Sequence, residues 1–367
     1  MALSKDDSYF LNKLRGASIL RVVLGHLGLF WILPPYSGFF HSLLPVLFFV
    51  SGAVTFYSYK RSQGDVGFII KRLISLLIPY YVVCFFCFIF IVLQKGELPP
   101  FDINILLNWV MINPPSTTTP YNLGQVWYIH ALTIIILISP IIFRLINKNP
   151  WLYLVPIGLS LCISSIQLFY PINKSLVVSG HNLYQPLVNL MFFCLGSAFF
   201  SHDFFSKRSF YAGKLLIFLM VSITLVIALS LKVDLKYHSY SPDLYYISCS
   251  LVALSLIMYF RAQIISFCQN LKLIEKVLDF FNKHAYSIYL THSLFIDVSE
   301  NVFGLIDVIN SPIHAVIKIL FVLLSSALLA IPLSYINKFV IGHALKLVKV
   351  KSSADFNKPD RTSKLLP

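Results

Sequence analysis

Ten long apolar runs, with no soluble domain between any two of them, fix what this chain can become. They lie at about 16–33, 39–58, 73–93, 126–146, 151–170, 186–201, 214–231, 244–260, 285–303 and 313–337. As a helix rising about 1.5 Å per residue, a run of this length crosses the roughly 30 Å hydrocarbon core of a bilayer. Composition agrees: the chain is 57% hydrophobic and 12% charged, about half the charged share of a soluble protein. The expected fold is all-α, a polytopic membrane protein of about ten transmembrane helices. One transmembrane domain is expected over 1–350, without internal repeats. The polar, Pro- and Lys-bearing segment 351–367 reads as a disordered cytoplasmic tail. The N-terminus reads as an uncleaved first helix. Its apolar run is too long for a signal core, and Pro34-Pro35 follow it instead of a small-residue cleavage site.

Basic residues set the orientation. With the N-terminus inside, 23 Lys and Arg fall in the inside segments, against Lys95, Lys174, Lys232 and Lys236 outside. That imbalance places both termini in the cytoplasm and requires an even number of spans. It also accounts for the net charge of +14 without nucleic acid as a partner. The longest outside loop, about 95–125, contains Asn113-Pro-Pro-Ser-Thr-Thr-Thr-Pro-Tyr-Asn122, which no helix tolerates. A short amphipathic piece, Ile103–Met111, is expected at the interface. The six cysteines sit in apolar segments or in an inside loop. Cys84-Phe-Phe-Cys87 has redox spacing without the βαβ context that would support a redox role.

Four constellations could carry chemistry. The first is Arg15 with His26, eleven residues apart. On one helix they share a face, roughly 16 Å apart along the axis. If the helix spans a membrane, Arg15 sits near one surface and His26 near mid-bilayer, where an ionisable group is a functional candidate. A neutral imidazole can take a proton from a hydroxyl, and the planar fork of an Arg can hold a phosphate or carboxylate. The alternative is a structural His and an Arg anchored at the headgroups. The second is Lys60, Arg61, Lys71 and Arg72, either an ordinary inside loop or a phosphate-binding patch. The third is Ser287-Ile-Tyr289-Leu-Thr-His292, with Tyr289 and His292 on one face. The fourth is Trp127-Tyr128-Ile129-His130, which equally suits an interfacial aromatic belt. There is no Walker loop, dinucleotide glycine pattern or zinc-type spacing, so no metal is expected. Carboxylates are scarce in the spans, which argues against ion-coupled transport.

In this order the segments resemble the acyltransferase 3 family of integral-membrane O-acyltransferases. Arg15-Gly16 with His26 resembles its Arg-x10-His signature. Phe48-Phe49-Val-Ser51-Gly52 resembles its second-span Phe-Phe-x-x-Ser-Gly. Lys71-Arg72 leading to Pro79-Tyr80 resembles its basic run ending in Pro-Tyr. Trp127-Tyr128-Ile129 with Pro140, Phe192-Phe193-Cys-Leu-Gly196 and Ser287-Ile-Tyr289-Leu-Thr-His292 resemble three further segments. Ser75 stands where many members carry another Arg, and Leu132 where one branch has a Glu. No acidic partner for the histidines is therefore implied.

The resemblance implies an enzyme of the inner (cytoplasmic) membrane. It would move an acyl group, most often acetyl, from cytosolic acyl-CoA to a hydroxyl of a surface polysaccharide or lipid-linked glycan. His26 would be the general base or a transient acyl carrier, Arg15, Lys71 and Arg72 would hold the donor, and His292 would support the site from a facing helix. Tyr289 and Trp127 would contact substrate. Partners would be acyl-CoA, the glycan acceptor and membrane lipids. The reading of a different class is a transporter or flippase for a glycan or acylated sugar.

Overall fold

The computed structural model describes residues 4–28, 36–62, 64–95, 103, 107, 110, 112, 126–178, 181–201, 208–305 and 311–348. The far end of the first apolar run, the 113–122 loop, most of 103–111 and the 351–367 tail lie outside the described residues. The chain is helical almost throughout. Its helices are α1 (Lys5–His26), α2 (Val46–Lys60), α3 (Asp65–Lys95), α4 (Trp127–Lys148), α5 (Leu154–Phe169), α6 (Tyr184–Ser201), α7 (Arg208–Leu229), α8 (Leu244–Tyr259), α9 (Arg261–Asn270), α10 (Lys272–Lys283), α11 (Ala285–Asn301) and α12 (Pro312–Leu347). A 3-10 helix, Tyr36–Leu43, precedes α2. A two-residue antiparallel pair, Val177–Val178 with His181–Asn182, links α5 to α6.

Within the described residues each of the ten apolar runs falls on helical structure, but the helices are not equivalent. Among the described residues six are long and apolar enough to cross a membrane on their own: Tyr36–Lys60, Asp65–Phe86, Trp127–Lys148, Trp151–Phe169, Tyr211–Leu229 and Ile313–Leu347. A seventh arises if α8 and α9, bent by 63° at their junction, are taken together. The first run differs most from expectation. Its helix begins at Lys5, eleven residues before 16, because Ser4 caps it by accepting the Asp7 N–H and two acids occupy its first turn. His26 therefore stands in the last turn of α1, roughly 31 Å from its start, and not midway along it.

That polar first half of α1 is held by α10, the strongly amphipathic helix of the bundle. Lys13 is buried and its Nζ lies 2.5 Å from Asp279 Oδ1. Tyr9 donates to Glu275 Oε1 at 3.0 Å. Burial, with the Glu275 bond behind it, pushes the Tyr9 pKa up to about 12, so the phenol stays a neutral donor. Arg261, the first residue of α9, pairs with Asp7 and lies against Phe10 and Phe199. Arg144 at the end of α4 pairs with Asp65 at the start of α3 (2.9 Å). These contacts gather the ends rich in Lys and Arg at one end of the bundle. At the opposite end Arg21 donates to Phe40 O and Tyr246 to His41 O.

Inside the bundle α2 and α6 cross almost backbone to backbone. A Cβ on Gly52 would fall 1.9 Å from Phe193 O, and one on Gly196 would fall 1.9 Å from Phe49 O. Ser197 sits beside them and donates to Gly52 O at 3.1 Å. Lipid tails are as apolar as the helices, so such close contact supplies what hydrophobic burial supplies in water. Gly158 in α5 has nothing within 4 Å of its would-be Cβ. Gly52→Ala is expected to destabilise the protein by about 1–3 kcal/mol, as overpacking does. Gly158→Ala should be neutral or stabilising by up to about 1 kcal/mol. Thermal unfolding in detergent compares the two; equal melting temperatures would show that the crossing is not under this constraint.

Candidate functional site

Residues at helical spacing on five helices converge on one cavity of about 200 Å³. Helix α1 supplies Arg15 and Ile19, α2 supplies Ser51 and Thr55, α3 supplies Arg72 and Ser75, α4 supplies Tyr128 and Leu132, and α11 supplies Tyr286 and Tyr289. Arg15 keeps an accessible side chain there. Arg72 donates through Nη2 to Val54 O at 2.7 Å, while its buried Nε has no hydrogen-bond partner. Ser75, the position where the family more often has Arg, lines the wall, with its hydroxyl turned back to Lys71 O at 2.8 Å. No carboxylate is among the residues lining the cavity. Two guanidinium groups thus share a low-dielectric space with no counter-ion among the described residues that line it. Such an arrangement is costly until an anion enters.

Tyrosines form the other end of the cavity. Tyr128 OH and Ser51 Oγ are hydrogen-bonded at 2.9 Å. The Tyr128 ring meets Tyr289 edge-on at 5.5 Å, and Tyr286 stacks on Tyr289 at 6.4 Å. Tyr286 is itself tied to α3, donating to Leu76 O. Beyond Tyr289 comes His292, with ring centroids 6.0 Å apart, and beyond His292 comes His26, at 5.2 Å.

The two histidines differ in access. His292 is fully buried, and its Nδ1 lies 3.2 Å from Ile288 O. A carbonyl only accepts, so Nδ1 carries the proton and the lone pair is left on Nε2, which has no hydrogen-bond partner. His26 is exposed and is not part of the cavity wall. The arginines and the accessible imidazole therefore lie on opposite sides of a Tyr128–Tyr289–His292 partition.

The structure thus unites Arg15, Arg72 and Tyr289 in one cavity and pairs His26 with His292 next to it. Trp127 does not line the cavity; it packs on Phe48, at 6.2 Å between centroids, and on Tyr128, at 6.3 Å. Lys71 is half-buried on the neighbouring face of α3 and also lies outside the cavity wall. Lys60 and Arg61 lie over the Phe56 and Tyr57 rings. Among the site residues that sequence did not single out, Tyr128 and Ser51 stood inside recognised segments. Arg21, five residues before His26 on α1 and bonded to Phe40 O, had a signal in its position within an apolar run.

These features define a helical membrane protein with a basic cavity and a histidine pair. A family model described as an acyltransferase domain matches residues 8–331. The chain belongs to the acyltransferase 3 family. No curated protein and no solved structure matches it.

The access difference is testable by chemistry. Brief treatment of the purified protein with diethyl pyrocarbonate is expected to carbethoxylate His26 well before His292, read by peptide mass spectrometry. Earlier or equal labelling of His292 would contradict the partition.

Proposed function

We propose that this chain is a membrane-bound O-acyltransferase that moves an acyl group, acetyl foremost, from cytosolic acyl-CoA to a hydroxyl of a surface or lipid-linked polysaccharide. The observation that carries the reading is the cavity with two arginines and no carboxylate, beside a pair of imidazoles. At about 200 Å³ it is smaller than the roughly 300–1,000 Å³ of sites that enclose a whole drug-sized ligand. It suits the acyl-thioester end of a donor whose nucleotide stays outside, near the Lys- and Arg-rich end of the bundle. The protein would lie in the inner membrane with ten spans and both termini cytoplasmic, as the charge distribution argues.

In this reading Arg15 and Arg72 hold the anionic part of the donor, and its thioester reaches past Tyr289 to the acceptor beside His26. His26 reaches the acceptor from the other side of the partition. The His26 ring lies 5.2 Å from that of His292, centroid to centroid, and one of its nitrogens acts as the base. That nitrogen takes the acceptor's hydroxyl proton as its oxygen attacks the carbonyl carbon. The new ester C–O bond forms, the C–S bond breaks, and the thiolate leaves with the electron pair. The proton passes from His26 to the thiolate, and free thiol is released. Tyr289, between the two sides, is placed to contact the acyl group in transit.

Replacing His26 with Ala is expected to lower acyl transfer by about 10²–10⁴-fold without loss of membrane insertion. Acetyl ester on the cell's polysaccharide reads it out, and unchanged ester content would remove the base assignment. Normal ester content with polysaccharide held inside the cell would favour transport instead. Arg72→Lys keeps the charge and loses the planar fork. It is expected to raise the KM for acyl-CoA about tenfold, with a smaller change in kcat. A change in kcat alone would separate Arg72 from donor binding.

A further inference from the structure

The second large cavity of the bundle has no part in the chemistry described above. It is a groove of about 450 Å³ between α7 and α8, closed on one side by the 3-10 helix. Leu219, Ile223, Val226 and Ile227 of α7 face Val252, Ala253 and Leu256 of α8. The few polar side chains in its wall are already satisfied by the protein. Ser222 donates to Phe218 O at 2.8 Å, Ser42 to Phe39 O at 2.6 Å and Tyr245 to Val233 O at 2.9 Å. An occupant therefore meets hydrocarbon alone. Helix α7 is also the most peripheral of the candidate spans, with 6% of its apolar window buried, so the groove lies against the helix that faces lipid most fully.

Charge identifies the occupant's head. The end of the bundle opposite its basic side has only Lys95, Lys174, Lys232 and Lys236 in its connections. Two of these four, Lys232 and Lys236, sit four positions apart in the loop that follows α7, flanking the groove residue Val233, and both are exposed. The acids of the same loop each accept hydrogen bonds from within it. Asp234 Oδ1 accepts the Lys236 backbone N–H at 2.9 Å. Asp243 Oδ2 lies 2.6 Å from His238 Nδ1, and its Oδ1 caps α8 by accepting the Tyr246 N–H at 3.0 Å. Lys232 Nζ lies 4.2 Å from the centre of the Tyr237 ring, which is itself exposed. An apolar slot whose lining residue Val233 lies between two exposed lysines of the same loop fits one long hydrocarbon chain ending in a phosphate.

The location says what that lipid carries. Phe39 and Ser42 of the 3-10 helix line the groove. Phe40 O of the same helix accepts from Arg21 of α1, at 2.8 Å, the helix that ends at His26. One helix thickness, roughly 8–10 Å, thus separates the groove from the His26 helix. We infer that the groove binds the single-chain lipid phosphate on which the acceptor glycan is carried, presenting its sugar to His26. This rests on the acyl-transfer reading only for the identity of the cargo; the lipid site stands on the groove and the two lysines.

The test uses the full chain in detergent and a polyprenyl phosphate as probe, with binding followed by native mass spectrometry. Polyprenyl phosphate is expected to bind, and its phosphate-free alcohol and two-chain phosphatidylglycerol to bind at least about tenfold more weakly. Lys232→Glu with Lys236→Glu should weaken the polyprenyl phosphate at least about tenfold. Ala253→Trp, which fills the slot, should abolish binding. With acyl-CoA as donor, the charge-reversed variant should raise KM for a lipid-borne acceptor and leave transfer to a short water-soluble glycan unchanged. Undiminished binding by the lysine variant, or phosphatidylglycerol binding as tightly, would overturn the site in favour of ordinary boundary lipid. Polyprenyl phosphate binding without any acyl transfer would leave the lipid site standing and remove the acyl-transfer reading.

Discussion

The crossing of α2 over α6 is the contact on which the site depends. In lipid, apolar side chains gain little by meeting one another, so two helices stay together by fitting closely. Gly52 and Gly196 let the two backbones touch, each lying against a carbonyl of the other helix. Gly52 follows Ser51, whose hydroxyl holds Tyr128. Tyr128 meets Tyr289, and Tyr289 meets His292. A backbone contact with no chemistry of its own thus sets the depth of a chain of side chains that ends at the histidine pair.

The fold was legible where the physics is one-dimensional. Apolar runs of 16 to 25 residues marked where helices form, because a helix in lipid satisfies its own backbone. Helix ends were less legible. Hydropathy could not show that α1 starts at Lys5, because its first turns are polar and are stabilised by ion pairs with α10, more than 260 positions away. Spacing placed Arg15 and His26 on one face correctly. It could not show that a tyrosine partition stands between the space Arg15 enters and the surface His26 occupies. That partition is built from α4 and α11, and only tertiary packing brings them together. Trp127 looked like a site residue for the same reason that Tyr128 is one: both belong to a single aromatic segment, and a rotation of about 100° per residue sends only the second into the cavity.

The separation of roles also explains a residue pattern that seemed incomplete. With Ser75 at a position where a further Arg is common in the family, the cavity has two guanidinium groups, and Arg72 spends one nitrogen on Val54 O. Its unpartnered Nε and the accessible Arg15 are the donors left for an anion. With Leu132 where one branch of the family has a Glu, no carboxylate enters the lining of this cavity.

Helix α1 is one uninterrupted rod, clamped at its first turns by Asp7–Arg261 and Lys13–Asp279 and bearing His26 at its far tip. From Lys13 to His26 is roughly 20 Å along the axis. The height of the imidazole relative to the bilayer is therefore registered from the surface of the protein, not from its surroundings. A tilt of α10 is carried along that rod to the His26 ring, so the two ends of α1 move as one.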